Sequence, residues 1–164
     1  MIQIVEATPA DYAVIRRLAY EIWPGTYGHI LSKTQLDYML DAFYSIENLT
    51  ECAAKNHHFL LVKDSQRDIG FMSYEHGYKG KPATRIHKIY VLPETQGKGI
   101  GKLLIERAET LAKAAKSDVL SLNVNRFNNA VSFYKKLGFG IVGEEDIEIG
   151  HGYLMEDFMM EKLL

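Results

Sequence analysis

The chain has 164 residues and a formal net charge of -2, from 19 basic and 21 acidic side chains. At 47% hydrophobic and 24% charged residues it has the composition of an ordinary folded domain, which excludes disordered and fibrous classes. The balanced charge lacks the broad basic face that nucleic-acid binding needs, and a single cysteine, Cys52, excludes an intramolecular disulfide.

Ile2 to Ala7 reads as a strand. Thr8-Pro9-Ala10-Asp11 then starts a helix, with Thr8 as cap, Pro9 at the first helical position and Asp11 at the positive end of the dipole. Ile15, Leu18, Ala19 and Ile22 form its apolar face, and it is expected to stop near Trp23-Pro24-Gly25. Ser32 to Asp41 and Ser45 to Lys55 read as two further helices. His58 to Lys63 is a strand, Asp64 to Asp68 a polar turn of hairpin length, Ile69 to Tyr78 a strand, Gly77 to Pro82 a turn, and Thr84 to Leu92 a strand. The period then changes to helical, with Ile100, Leu103, Leu104, Ala108, Leu111, Ala112 and Ala115 on one face. Val119 to Val124 is a strand, and Asn128 to Leu137 a helix ended by Gly138. Phe139 to Ile147 and Tyr153 to Lys162 close the chain as strands. Residues 1–164 thus form a single mixed α/β (α+β) domain, antiparallel in front, with a strand-helix-strand crossover behind. No segment approaches the ~20 apolar residues of a membrane span, and the first residues do not read as a signal peptide. A cytoplasmic protein is expected.

The segment Ile86 to Arg107 carries the chemistry. An apolar strand, Ile89-Tyr90-Val91-Leu92, meets Pro93-Glu94-Thr95, then Gln96-Gly97-Lys98-Gly99-Ile100-Gly101, and a long helix begins. Glycines let backbone N–H groups approach an anion closely, and a helix N-terminus offers unpaired N–H groups and partial positive charge. Lys98 and Lys102 add cations, so the pattern reads as a diphosphate cradle. A P-loop fails because Leu103 follows Lys102. A dinucleotide fingerprint fails because the glycines stand at 97, 99 and 101 on what read as antiparallel strands.

These residues closely resemble the acyl-coenzyme A-binding motif of the GCN5-related N-acetyltransferase (GNAT) superfamily, Gln/Arg-x-x-Gly-x-Gly/Ala, here Gln96, Gly99 and Gly101. A second family block resembles Asn128 to Phe139, and the order of elements is similar over nearly the whole chain. The resemblance implies a GNAT-like fold: a mixed, mostly antiparallel sheet of about seven strands flanked by helices and splayed between strands 4 and 5. It implies an acetyl-CoA-dependent N-acetyltransferase, acting on a primary amine of a small molecule such as a polyamine, amino acid or aminoglycoside, in a ternary complex. Acetylation of a protein or peptide N-terminus, or a non-catalytic acyl-CoA sensor, are the alternatives. Ile89, Tyr90 and Val91 would meet the pantetheine arm. Gln96, Gly97, Lys98, Gly99, Ile100, Gly101 and Lys102 would hold the diphosphate. Asn128 (or Asn125 or Asn129) would contact the arm, Lys136 would reach the 3′-phosphate, and Tyr134 would act as general acid beside the sulfur. His87, on the fourth strand, or a chain of water would be the base. A homodimer is implied by the family alone; neither a nucleic-acid nor a membrane partner is expected.

Other residues carry less. Six histidines show no His-x-x-x-His spacing, and His57 and His58 would point to opposite sides of a strand, so no metal site is expected. Cys52 has no histidine at helical spacing and reads as an inert thiol. Tyr20, Trp23, Tyr27, Tyr38 and Tyr44 read equally as core or as the wall of an acceptor slot.

Overall fold

A computed structural model describes residues 1–164. Seven strands, β1 (Ile2–Glu6), β2 (His58–Asp64), β3 (Arg67–His76), β4 (Ala83–Val91), β5 (Val119–Asn125), β6 (Gly140–Glu148) and β7 (Leu154–Leu163), form one sheet in the order β1-β2-β3-β4-β5-β7-β6. Five helices flank it: α1 (Tyr12–Tyr27), α2 (Lys33–Tyr44), α3 (Ile46–Ala54), α4 (Ile100–Ala114) and α5 (Ala130–Lys136). Every strand pairing is antiparallel except β4 with β5, which α4 joins as a crossover. This is the GNAT fold that the resemblance implies. No helix is long and apolar enough to cross a membrane.

Local chemistry explains the helix starts. Thr8 N–H donates to Asp11 Oδ2 at 2.8 Å and opens a 3-10 turn, Pro9–Asp11, ahead of α1. Ser32 and Ser45 cap α2 and α3, each hydroxyl accepting the backbone N–H three residues on, at 3.1 Å. The apolar faces then meet the sheet. Ile15, Leu18 and Ala19 of α1, and Leu104, Ile105 and Ala108 of α4, are buried, worth about 1.5–3 kcal/mol for each large side chain.

Several boundaries differ from the sequence reading, three of them with a clear local cause. Helix α1 does not stop at Pro24 but runs through it to Tyr27. The buried rings of Trp23 and Tyr27 pack one turn apart, tilted by 59° with centroids at 4.8 Å, and their packing outweighs the ~3 kcal/mol that an interior proline costs. The turn between β2 and β3 is only Ser65-Gln66, because Ser65 adopts φ 57 and lets Asp64 face Arg67 directly. Helix α5 begins at Ala130 rather than Asn128, whose Oδ1 accepts the Ala130 N–H at 2.9 Å and turns the chain first.

The feature that positions the site is a break in the sheet. Strand β4 pairs with β5 only over Ala83 to Ile86, opposite Val119 to Leu122. On its other side Ser73 faces Lys88 while Tyr74 faces Ile86, so His87 is the extra residue of a β-bulge. Beyond the bulge β4 stays on β3 and leaves β5, which stays on β7. The facing edges, residues 87–91 and 123–125, have no strand partner across the gap.

Candidate active site

The gap opens into a cleft of about 830 Å³. Ile89, Tyr90 and Val91 form one wall, Asn123, Val124 and Asn125 the other; the glycine-rich turn and α5 close its ends. The turn is shaped by its glycines. Gly97 and Gly99 adopt φ 81 and 78, a left-handed region that favours glycine. A Cβ at either would meet nothing within 4 Å, so the space above the turn is open. Gly101 answers a different need, since a Cβ there would lie 3.0 Å from Phe133 Cζ, where α5 crosses α4. Gly99 caps α4, and the first N–H groups of any helix have no intrahelical acceptor.

These residues fit the coenzyme. The open turn with its helix N-terminus suits a diphosphate, and the unpaired β4 edge offers main-chain groups to the amides of a pantetheine arm. Gln96, Gly97, Gly99, Ile100, Gly101, Lys102, Asn128 and Lys136 all line the cleft. Lys98 does not line it; it lies instead near Glu94, whose carboxyl is lowered first by its own backbone N–H, then by Arg67 and least by Lys98. Asn125, Asn128 and Asn129 all reach the cleft. Asn125 Oδ1 accepts the Phe127 N–H and Asn128 Oδ1 the Ala130 N–H, each at 2.9 Å, which leaves their NH₂ groups as donors.

Tyr134, 7% exposed, enters the cleft from α5. Burial raises its phenol well above the ordinary value, and Tyr27 adds to the shift, so it keeps its proton at neutral pH. Tyr27 and Tyr90 share a hydrogen bond of 2.8 Å between their hydroxyls. Burial pushes Tyr27 up to about 12. The other aromatics divide. Trp23 and Tyr44 are core, 3% and 1% exposed. Tyr38 donates to the Ile149 carbonyl at 2.8 Å and ties α2 to the β6–β7 turn, while Tyr20 is 39% exposed.

His87 also lines the cleft, but with partners that sequence spacing does not reveal. Its Nε2 lies 2.9 Å from Glu75 Oε1, and His57 Nε2 lies 3.4 Å from the same oxygen. The two imidazoles stack at 4.0 Å with planes 6° apart. The ligand atoms of His57, Glu75 and His87 lie within 4.8 Å of one another, a grouping that spacing in the sequence does not show. His87 is hydrogen-bonded to Glu75, whereas His57 makes only the longer contact. Burial, then Lys88 and Arg85, lowers His87 to about 3; burial, then His87, lowers His57 to about 4. Both rings are neutral at pH 7.

Asp157 is the cleft residue that the sequence reading misses. It sits on β7 opposite Asn125 and is 6% exposed. Burial raises its carboxyl to about 6, against the lowering effects of Asn123 and Arg85. Its phase on β7 holds Met155, Met159 and Glu161 and the other phase Glu156, Phe158, Met160 and Lys162, so apolar and charged residues mix on both faces and alternation does not mark Asp157 as buried.

The glycine turn at a helix N-terminus, the parted strands and the phenol are together the features that an acyl-coenzyme A site on such a scaffold requires. A family model described as acetyltransferase (GNAT) domain matches residues 55–141, and the chain belongs to that family. It is 36% identical over 93 residues to a peptidyl-lysine N-acetyltransferase, YjaB, of Salmonella typhimurium, covering 55% of this chain and 54% of that one. The chain thus spans about half the length of that relative. It is 30% identical over 146 residues to the 5-NmdU N-acetyltransferase of Pseudomonas phage PaMx11, covering 88% and 91%. Among solved structures, the PaiA N-acetyltransferase of Thermoplasma acidophilum in complex with coenzyme A superposes with TM-score 0.83 at 28% identity, covering 100% and 99%.

Proposed function

We propose that this chain is an acetyl-CoA-dependent N-acetyltransferase that acetylates a primary amine by direct attack in a ternary complex. The observation that carries this reading is the unpaired edge of β4, Ile89 to Val91, leading straight to the open turn at Gly97 and Gly99. In this reading the turn and the first N–H groups of α4 bind the diphosphate, with Lys102 adding charge. Lys136 serves the 3′-phosphate. A backbone N–H of residues 89–91 donates to the thioester carbonyl; such a donor is worth about 3–4 kcal/mol as negative charge builds on that oxygen. Tyr134 donates its proton to the departing sulfur, a role worth about 10²–10⁴ in rate. Most of the remaining gain comes from holding both substrates in one cleft.

A small-molecule amine remains our preferred acceptor. The names of the relatives, one acting on a peptidyl lysine and one on 5-NmdU, support N-acetyl transfer without choosing between small and large acceptors. A screen of free-thiol release from acetyl-CoA across polyamines, amino acids, aminoglycosides and a lysine peptide makes that choice. Two copies of the chain pair in this reading, which the exposed Ile141, Val142 and Ile147 of edge strand β6 support.

Tyr134→Phe tests the mechanism. The expected result is a fall in kcat of about 10²-fold or more, with coenzyme A affinity by calorimetry unchanged. An unchanged kcat removes Tyr134 as the acid, and loss of coenzyme binding by the unmodified protein removes the whole reading.

A further inference from the structure

Asp157 has a chemistry that the acetyl transfer described above does not use. Its Oδ1 is buried without a hydrogen-bond partner. Its Oδ2 has one long bond, 3.4 Å from Asn123 Nδ2, and that amide is shared with Glu145 Oε2 at 3.2 Å. An ionised carboxylate has room for about four donors, so this one is far short. The nearby cations are committed elsewhere. Arg126 grips Glu144 and Asp146 at 2.9 and 2.6 Å, and Arg85 lies over the Tyr78 ring at 4.9 Å. What is missing is a compact cationic N–H donor, and Asp157 lines the cleft through which an acceptor would arrive.

We propose that Asp157 receives the ammonium group of the acceptor and takes its proton, so that the substrates are alkylamines bound in their protonated form. The inference rests on the acetyl-transfer reading. The sequence of events balances. The ammonium gives one proton to Asp157, and the neutral nitrogen attacks the thioester carbonyl carbon. The C–S bond breaks, and the sulfur takes the proton of Tyr134. The nitrogen's second proton goes to the Tyr134 oxygen, restoring the phenol. Asp157 releases its proton to solvent once the amide leaves.

The groups around Asp157 suit this role. Tyr27 faces it from α1, Arg85 from β4, Asn123 from β5, Glu145 from β6 and Arg126 from the segment after β5. Burial leads their balance and sets the carboxyl at about 6, nearer neutrality than an ordinary aspartate and therefore a better base. His87, lowered to about 3 and directed at Glu75, is the weaker candidate.

The test uses 1,5-diaminopentane as acceptor and Asp157→Asn as variant, with Asp157→Ser as a second uncharged replacement. Both variants should lose about 100-fold or more in kcat/KM and bind the diamine at least tenfold more weakly when loaded with coenzyme A. Coenzyme affinity should stay within twofold. Asp157→Asn should melt at or above the wild-type temperature, because it removes an unpaired buried charge. The pH profile discriminates further. Wild-type kcat/KM should rise to a plateau with a midpoint near 6, whereas the variants should track free amine with unit slope toward its pKa of about 10. Variants within threefold of wild type, a wild-type profile with unit slope between pH 6 and 10, or no saturable diamine binding to the coenzyme-loaded wild type would each overturn the role of Asp157. Failure of the wild type to bind coenzyme A would overturn the acetyl-transfer reading itself, and this one with it.

Discussion

Single residues divide by whether their role is local. Gly99 sits at φ 78 with open space where a Cβ would stand, so alanine there meets no neighbour and strains only the backbone. Gly99→Ala should cost about 1–2 kcal/mol in chemical denaturation. Its methyl also enters the space proposed for the diphosphate, so coenzyme A affinity should fall by at least tenfold in calorimetry. Unchanged affinity would mean that these amides do not hold the ligand. The turn was legible in the sequence because its conformation depends on a few adjacent residues. Asp157 was not. Its burial is created by β5 on one side and β6 on the other, and nothing in its own strand marks it.

Between elements, the decisive contacts come from strand pairing. His57 precedes β2, Glu75 lies on β3 and His87 on the β4 bulge. Their separations in sequence fit no ligand or catalytic spacing, yet the register joins them on one carboxylate oxygen. The same holds for Pro24: a local rule ends a helix there, and the packing of Trp23 and Tyr27 continues it. Most strands and helices were legible, since their periodicity is local, whereas the bulge and the cluster are products of the sheet. The cluster has a measurable consequence. In the unfolded chain both histidines protonate near 6.5, but in the folded protein only near 4 and 3. The stability they contribute is therefore complete above about pH 6.5 and is lost as pH falls through 4 toward 3. The midpoint of urea unfolding should decline over that range, and His57→Asn with His87→Asn should flatten the decline. An equally steep curve in the double variant would show that other groups govern acid sensitivity.

At the scale of the whole molecule, the sheet consists of a four-strand part, β1 to β4, and a three-strand part, β5 with β7 and β6. Only four residue pairs join them, and the helix α4 crosses the join. The fold class and the splay were expected from a resemblance, but the surplus residue at position 87, where β4 parts from β5, emerges only from the register. Coenzyme A bound along Ile89 to Val91 would act as an eighth ribbon that closes this seam. Filling the site at 100 times Kd should stabilise the protein by about 2.7 kcal/mol. Deuterium uptake at the amides of residues 87–91 and 123–125 should slow in step with that gain, while uptake within β1 and β2 changes little. The cargo of the reaction would then also be a splint for the protein that carries it, and a cell starved of coenzyme would hold a looser molecule.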